Sequence, residues 1–256
     1  MKQFFLKTSK RLKFLLLLTG LVVSGSMNAQ NLQFHYDLGH VIESDRLSTR
    51  PSVTTTFEMF KPDKWGSTFL FCDLDYYTRG VAGAYWEISR EFSFGPKRQW
   101  AAHVEYDGGA STAENLAFCN RFQQAALVGP AWNWHSADFS STFSVQTMYK
   151  HYFKGQRNEK AFSSFQLTTV WGTSFFKGLC TFSGFFDVWH DPHVNGKWIV
   201  LSEPQLWFNL NKVKACQELP LSIGTELEVS NNFVHDDYNA NNRLYVIPTL
   251  ALKWSF

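Results

Sequence analysis

From Asn31 onward, apolar and polar residues alternate along the chain with a period of two. This is the signature of strands that present one face to an apolar medium and the other to water. The final stretch is the clearest case. Leu244, Val246, Pro248, Leu250, Leu252, Trp254 and Phe256 share one face, while Tyr245, Thr249, Lys253 and Ser255 share the other with Ile247 and Ala251. A soluble domain rarely ends on so apolar a strand, because its free edge would fray and aggregate. A closed barrel, whose last strand pairs with its first, has no such edge.

Twelve alternating segments of roughly ten residues can be counted. The first runs from Leu32 to Gly39, and the next two are centred on Phe57 and Cys72. The fourth spans Ala84–Phe94 and the fifth begins at Trp100. The sixth is blurred around Phe122–Trp132, where Ala125 to Val128 break parity. The seventh to ninth carry Val145, Leu167 and Phe186. The tenth covers Val200–Leu210 without a break, the eleventh is centred on Thr225, and the last is the terminal stretch. Most short connections alternate with longer polar ones (Val41–Pro51, Gly108–Asn120, Lys154–Lys160, Asp191–Lys197, Asn231–Arg243). Short periplasmic turns opposite longer outer loops are the habit of outer-membrane barrels. The pattern therefore predicts an all-β protein: one closed antiparallel transmembrane β-barrel of twelve strands.

The first 29 residues read differently. Lys2, Lys7, Lys10, Arg11 and Lys13 precede an apolar run, Phe14–Val23, and then small residues up to Ala29. That layout predicts a secretory signal over residues 1–29, cleaved after Ala29, with the barrel over 30–256. The apolar run is about half of the roughly 20 residues a spanning helix needs. Without the signal, 19 basic residues face 22 acidic ones, a balance of −3 that removes any global case for nucleic-acid binding. The 25 Phe, 10 Trp and 9 Tyr suit the aromatic girdles of an outer-membrane barrel. Cys72, Cys119, Cys180 and Cys216 show no metal or redox spacing.

Parity assigns the polar faces to the lumen, because a charge facing lipid costs roughly 2–4 kcal/mol near the midplane. The predicted inward carboxylates are Glu58, Asp73, Asp75, Glu87, Glu105, Asp107, Asp187 and Glu226, with Glu91, Glu203 and Glu228 in the same set. Phe69, Phe71, Tyr85, Phe185, Trp189 and Trp207 are interleaved with them. Each polar residue alone needs no explanation beyond a wet interior. Inward aromatics are different: a flat ring could stack on them at roughly 1–3 kcal/mol per base. They could equally fill space inside a twelve-stranded wall.

Phe92-Ser93-Phe94-Gly95-Pro96, followed by Trp100 and Tyr106-Asp107-Gly108, resembles the strand–turn–strand of the Tsx-like nucleoside-specific outer-membrane channels. Thr55 to Lys61 leading into Trp65, and the Trp254-Ser255-Phe256 terminus, are similar as well. The resemblance implies a monomeric twelve-stranded channel for nucleosides in the outer membrane of a Gram-negative bacterium. Its partners would be outer-membrane lipid, a small solute and the barrel-assembly machinery, the last reached through the C-terminal strand. No cofactor, metal or nucleic acid is implied. The Asn28-Ala29-Gln30 junction is also similar to exported Bacteroidetes proteins that carry a domain of unknown function of the DUF5020 type.

Two other classes compete. Barrel-type lipid hydrolases (phospholipase A, lipid A deacylases) use a His–Ser pair, and His135-Ser136 invites the comparison. It lies, however, in a predicted periplasmic turn, and adjacent strand residues point to opposite faces. His190-Asp191-Pro192-His193 could ligate a metal but reads as a polar turn, and the other histidines lack partners at diagnostic spacing. An exported soluble β-sandwich would leave the wholly apolar last strand unexplained.

Overall fold

The structure is a computed structural model that describes residues 29–78, 80–112, 119–156, 158–192, 197–234 and 242–256. The predicted signal segment lies outside the described residues, except for Ala29. Among the described residues, fourteen strands make one sheet: β1 (Ala29–Asp37), β2 (Val53–Pro62), β3 (Gly66–Tyr77), β4 (Gly80–Phe94), β5 (Trp100–Thr112), β6 (Cys119–Arg121), β7 (Ala125–His135), β8 (Ser141–Tyr152), β9 (Phe162–Phe175), β10 (Cys180–His190), β11 (Trp198–Ser202), β12 (Gln205–Asn209), β13 (Leu221–Asn231) and β14 (Leu244–Ser255). Short β6 pairs only with β5, and β11 and β12 form a single stave between β10 and β13. Twelve staves remain, each antiparallel to its neighbours. β14 closes on β1 in the register Leu32↔Trp254, Phe34↔Leu252 and Tyr36↔Leu250.

The usual arrangement of a soluble protein is inverted. Leu244, Val246, Leu250, Leu252 and Trp254 are exposed, whereas Tyr245, Ile247, Thr249 and Ala251 between them are buried. Ile88, Phe92, Val104, Val128, Phe165 and Phe182 also face outward, while Gln33, His103, Ser230 and Lys150 are enclosed. An apolar wall around a polar interior is stable only where the surrounding medium is apolar.

Several expected boundaries move. The first strand stops at Asp37, because Gly39 opens a short helix, α1 (Gly39–Ile42), followed by α2 (Ser44–Leu47). The blurred sixth segment is β7, shifted to Ala125–His135, with a ladder break at Gly129 and Pro130 against β8. A Cβ on Gly129 would meet the Thr147 carbonyl, so the residue marks a close backbone approach. Gly108–Thr112 continues β5 rather than opening a loop, and β4 starts at Gly80.

The expected continuous tenth strand is interrupted at Glu203 and Pro204. Proline has no N–H to give to the ladder. Here its carbonyl accepts from Leu227 N at 3.0 Å, while Glu203 N donates to the Phe185 carbonyl at 3.2 Å. Facing the break, Gly184 has no room for a side chain, since a Cβ would lie 2.5 Å from the Glu203 carbonyl oxygen.

One end of the barrel carries both strand termini and the turns at 63–65, 95–99, 136–140 and 176–179, with a longer link at 210–220 wound into two 3₁₀ turns. At the other end the first loop folds into the mouth. Leu47 is 2% exposed and packs on Val234, Tyr245 and Ile247. Arg50 bonds Asp37 at 2.7 Å and Glu228 at 2.5 Å.

Candidate functional site

The lumen is the candidate site, and strand pairing alone brings its groups together. Antiparallel register sets Glu87 opposite Asp107 and Phe71, and Phe71 opposite Glu58. Carboxylate oxygens of Glu87, Glu105 and Asp107 lie within 4.8 Å of one another. The Tyr85 hydroxyl donates to Glu87 at 2.7 Å. Lys150 reaches Asp107 at 3.1 Å and donates to Gln166 at 2.8 Å. Its ammonium also sits 5.2 and 5.3 Å from the Tyr152 and Trp189 ring centres. Three hard oxygen donors could in principle hold a divalent cation, but Lys150 already supplies positive charge there. Below this group His103 lies between Glu105 (3.1 Å) and Glu91 (3.2 Å), and Asn133 donates to Glu91 at 2.7 Å.

A second group lines β1, β12, β13 and β14. His35 contacts Gln33 (2.9 Å) and Thr249 (3.2 Å) and lies 3.6 Å from Glu226. Gln205 donates to Glu226 at 2.6 Å and accepts from the Trp207 indole at 2.9 Å. Lys253 stands 4.0 Å over the Trp207 ring. Trp207 faces inward as parity requires, yet it is 0% exposed and so offers no free stacking surface.

The remaining predicted residues form the β2–β3 wall and part of β10. Asn31 donates to Glu58 at 2.8 Å, Thr56 to Asp73 at 2.5 Å and Thr54 to Asp75 at 2.6 Å. Phe69, Phe71, Tyr85 and Phe122 run as a row with ring centres 6.1, 5.8 and 6.4 Å apart. Asp187 leaves one buried oxygen, Oδ1, without a hydrogen-bond partner among the described residues. Phe185 is half-buried opposite Val170, and its carbonyl helps hold the β11–β12 break. In the mouth, a cavity of about 270 Å³ lies between Leu47, Arg50 and Pro51 of the first loop and Tyr77, Phe233 and Val234 of the rim.

His35, His103, Lys150, Lys253 and Arg50 were not among the predicted site residues. Parity places the first four inward, but their roles depend on partners set by pairing, some on the adjacent strand (Glu91 for His103) and some two staves away (Asp107 for Lys150, Trp207 for Lys253), which alternation does not reveal. Histidine spacing tests for metals pass over a histidine clamped by carboxylates. The His135-Ser136 pair does not make a nucleophile–base contact: Ser136 donates its hydroxyl to Asp138 at 2.7 Å, and His135 Nδ1 sits on the Ser136 carbonyl. His135 also stacks on Phe139 with ring centres 4.0 Å apart. His193 and His235 lie outside the described residues. All four cysteines are free.

A closed twelve-stave antiparallel wall, apolar outside and polar within, is the fold of the porin-like outer-membrane channels. The chain belongs to the family described as "Domain of unknown function (DUF5020)", whose profile matches residues 29–256. Among solved structures it is similar to the NanC porin, with 10% identity, a TM-score of 0.53, and 89% of this chain covering 100% of that one. The KdgM porin matches at 8% identity and TM-score 0.48, over 89% and 99% of the two chains. LpxR from Salmonella typhimurium matches at 7% and 0.42, over 89% and 100%. No curated protein matches the chain.

Proposed function

We propose that this barrel is a passive outer-membrane channel for small hydrophilic solutes, with nucleosides as the preferred class. The observation that carries the reading is the polar, carboxylate-rich lumen inside an apolar wall. Selectivity would come from lumen width and lining rather than from a cofactor. The nucleoside part rests on the Phe69–Phe71–Tyr85 row, whose cross-strand neighbours include Glu58, Asp73 and Glu87. Rings could stack a base, and carboxylates could accept from ribose hydroxyls or exocyclic amines. In the same reading, residues 1–29 are an export signal. The terminal strand engages the assembly machinery, and the barrel works as a monomer in outer-membrane lipid.

Planar-bilayer recording on the full chain tests this. Adenosine should reduce the ionic current, and Phe71→Ala should weaken that block by about 5–150-fold in the concentration needed, matching roughly 1–3 kcal/mol. Currents indifferent to every nucleoside would remove the substrate class and leave the pore. Turnover of phospholipid or lipid A that His135→Ala abolishes would replace the channel reading with a hydrolase.

A further inference from the structure

We propose that the lumen selects by charge, passing small cations, inorganic and organic amine alike, in preference to anions. This deepens the channel reading and rests on it. The basis is an imbalance. On one wall Glu87, Glu105 and Asp107 crowd within 4.8 Å of one another against one ammonium, Lys150, and the His103 ring held between Glu105 and Glu91. That ammonium is spoken for on every side, by Asp107, by Gln166 and by the faces of Tyr152 and Trp189.

The carboxylates are not matched in return. Asp107 is 5% exposed, and its Oδ1 has no hydrogen-bond partner among the described residues. Asp187 on β10 likewise leaves a buried Oδ1 unpartnered, within the electrostatic reach of Glu105 and Lys150. Both oxygens are enclosed, so they act on a passing solute through their field rather than by contact.

The opposite wall has the same character. Lys253 is turned onto the Trp207 ring, and Arg50 at the mouth is consumed by Asp37 and Glu228. Arg243, also at the mouth, lies over the ring of inward-facing Tyr245, 6.0 Å from its centre. The inward carboxylates Glu58, Asp73, Glu203 and Glu226 therefore outnumber the cations on this side too. Low-dielectric walls focus such a field along the passage. A cation is stabilised by it, whereas an anion meets repulsion, as in channels lined by acidic rings.

The test is the reversal potential of the full-length chain in a planar bilayer under a tenfold KCl gradient. The expected sign is that of potassium preference, several-fold over chloride, and tetramethylammonium should carry current better than acetate. Glu87→Gln/Glu105→Gln should move the potential toward zero. Asp187→Asn should do so by a smaller step, and it serves if the double variant fails to fold on a heat-modifiability gel. A wild-type potential at zero, or of the chloride sign, overturns the inference while the pore stands. Absence of any conductance overturns the channel reading and this inference with it.

Discussion

Trp207 is wholly enclosed because of what Gly224 lacks. A Cβ at that glycine would lie 2.4 Å from Cε3 of the indole, so the ring rests directly on the neighbouring strand's backbone. Gly224→Ala should therefore overpack the inner wall and destabilise the barrel by about 1–3 kcal/mol. A urea series read by heat modifiability measures it. Parity predicted the direction of Trp207 but not its cover, because Lys253, His35 and Gly224 come from three other strands. In the 136–140 turn, the Ser136 and Ser140 hydroxyls and the Ser140 N–H donate to Asp138 at 2.7, 2.8 and 3.1 Å. These bonds, Ser136 foremost, hold its carboxyl down at about 2 from an ordinary 3.8. A depressed carboxylate stabilises above its unfolded value and loses that contribution as pH falls through the folded one. The turn should accordingly stay ordered down to about pH 4 and loosen between there and about pH 2. An NMR titration of Asp138 checks this, with Ser136→Ala raising the midpoint.

At the level of elements, the first loop departs furthest from expectation. It reads in the sequence as a polar outer connection, yet Leu47 is seated on inward-facing Ile247 and Arg50 ties the segment to β1 and β13. Arg50→Ala leaves Asp37 and Glu228 without their cation, a loss on the order of 1–3 kcal/mol in loop docking. The expected result is higher single-channel conductance and faster proteolysis between residues 38 and 52. Unchanged current and cleavage would show that Leu47 alone holds the loop. Neither partner of Arg50 could be picked from the sequence, since a guanidinium 13 residues from one carboxylate and 178 from the other meets them only after closure. The break in the tenth stave was missed by the alternation, which runs through Val200–Leu210, although Pro204 within that run is the residue that signals an interruption. The Phe185 carbonyl that accepts from Glu203 N and the accommodating Gly184 belong to β10 and became visible only through pairing.

For the whole molecule, the distinction between the two faces is the strongest constraint. Leu250 lies mid-strand on the outer wall, 62% exposed, so Leu250→Arg should cost roughly 2–4 kcal/mol of folding into bilayers. Glu226→Gln on the inner wall, which keeps a hydrogen-bonding partner for Gln205, should cost much less; equal costs in a vesicle-folding titration would contradict the assignment of faces. What the amino-acid sequence determined by itself is local: the period of two, the side each residue takes, the number of staves and the alternation of turn lengths. These follow from backbone geometry, which sends neighbouring side chains to opposite faces whatever lies beyond the strand. What only the tertiary structure decided is which inward groups meet: His103 between Glu91 and Glu105, Lys150 against Asp107, and the first loop in the mouth. Those meetings depend on register and on closure of β14 onto β1, and one residue of slip in either would pair every lumen side chain differently.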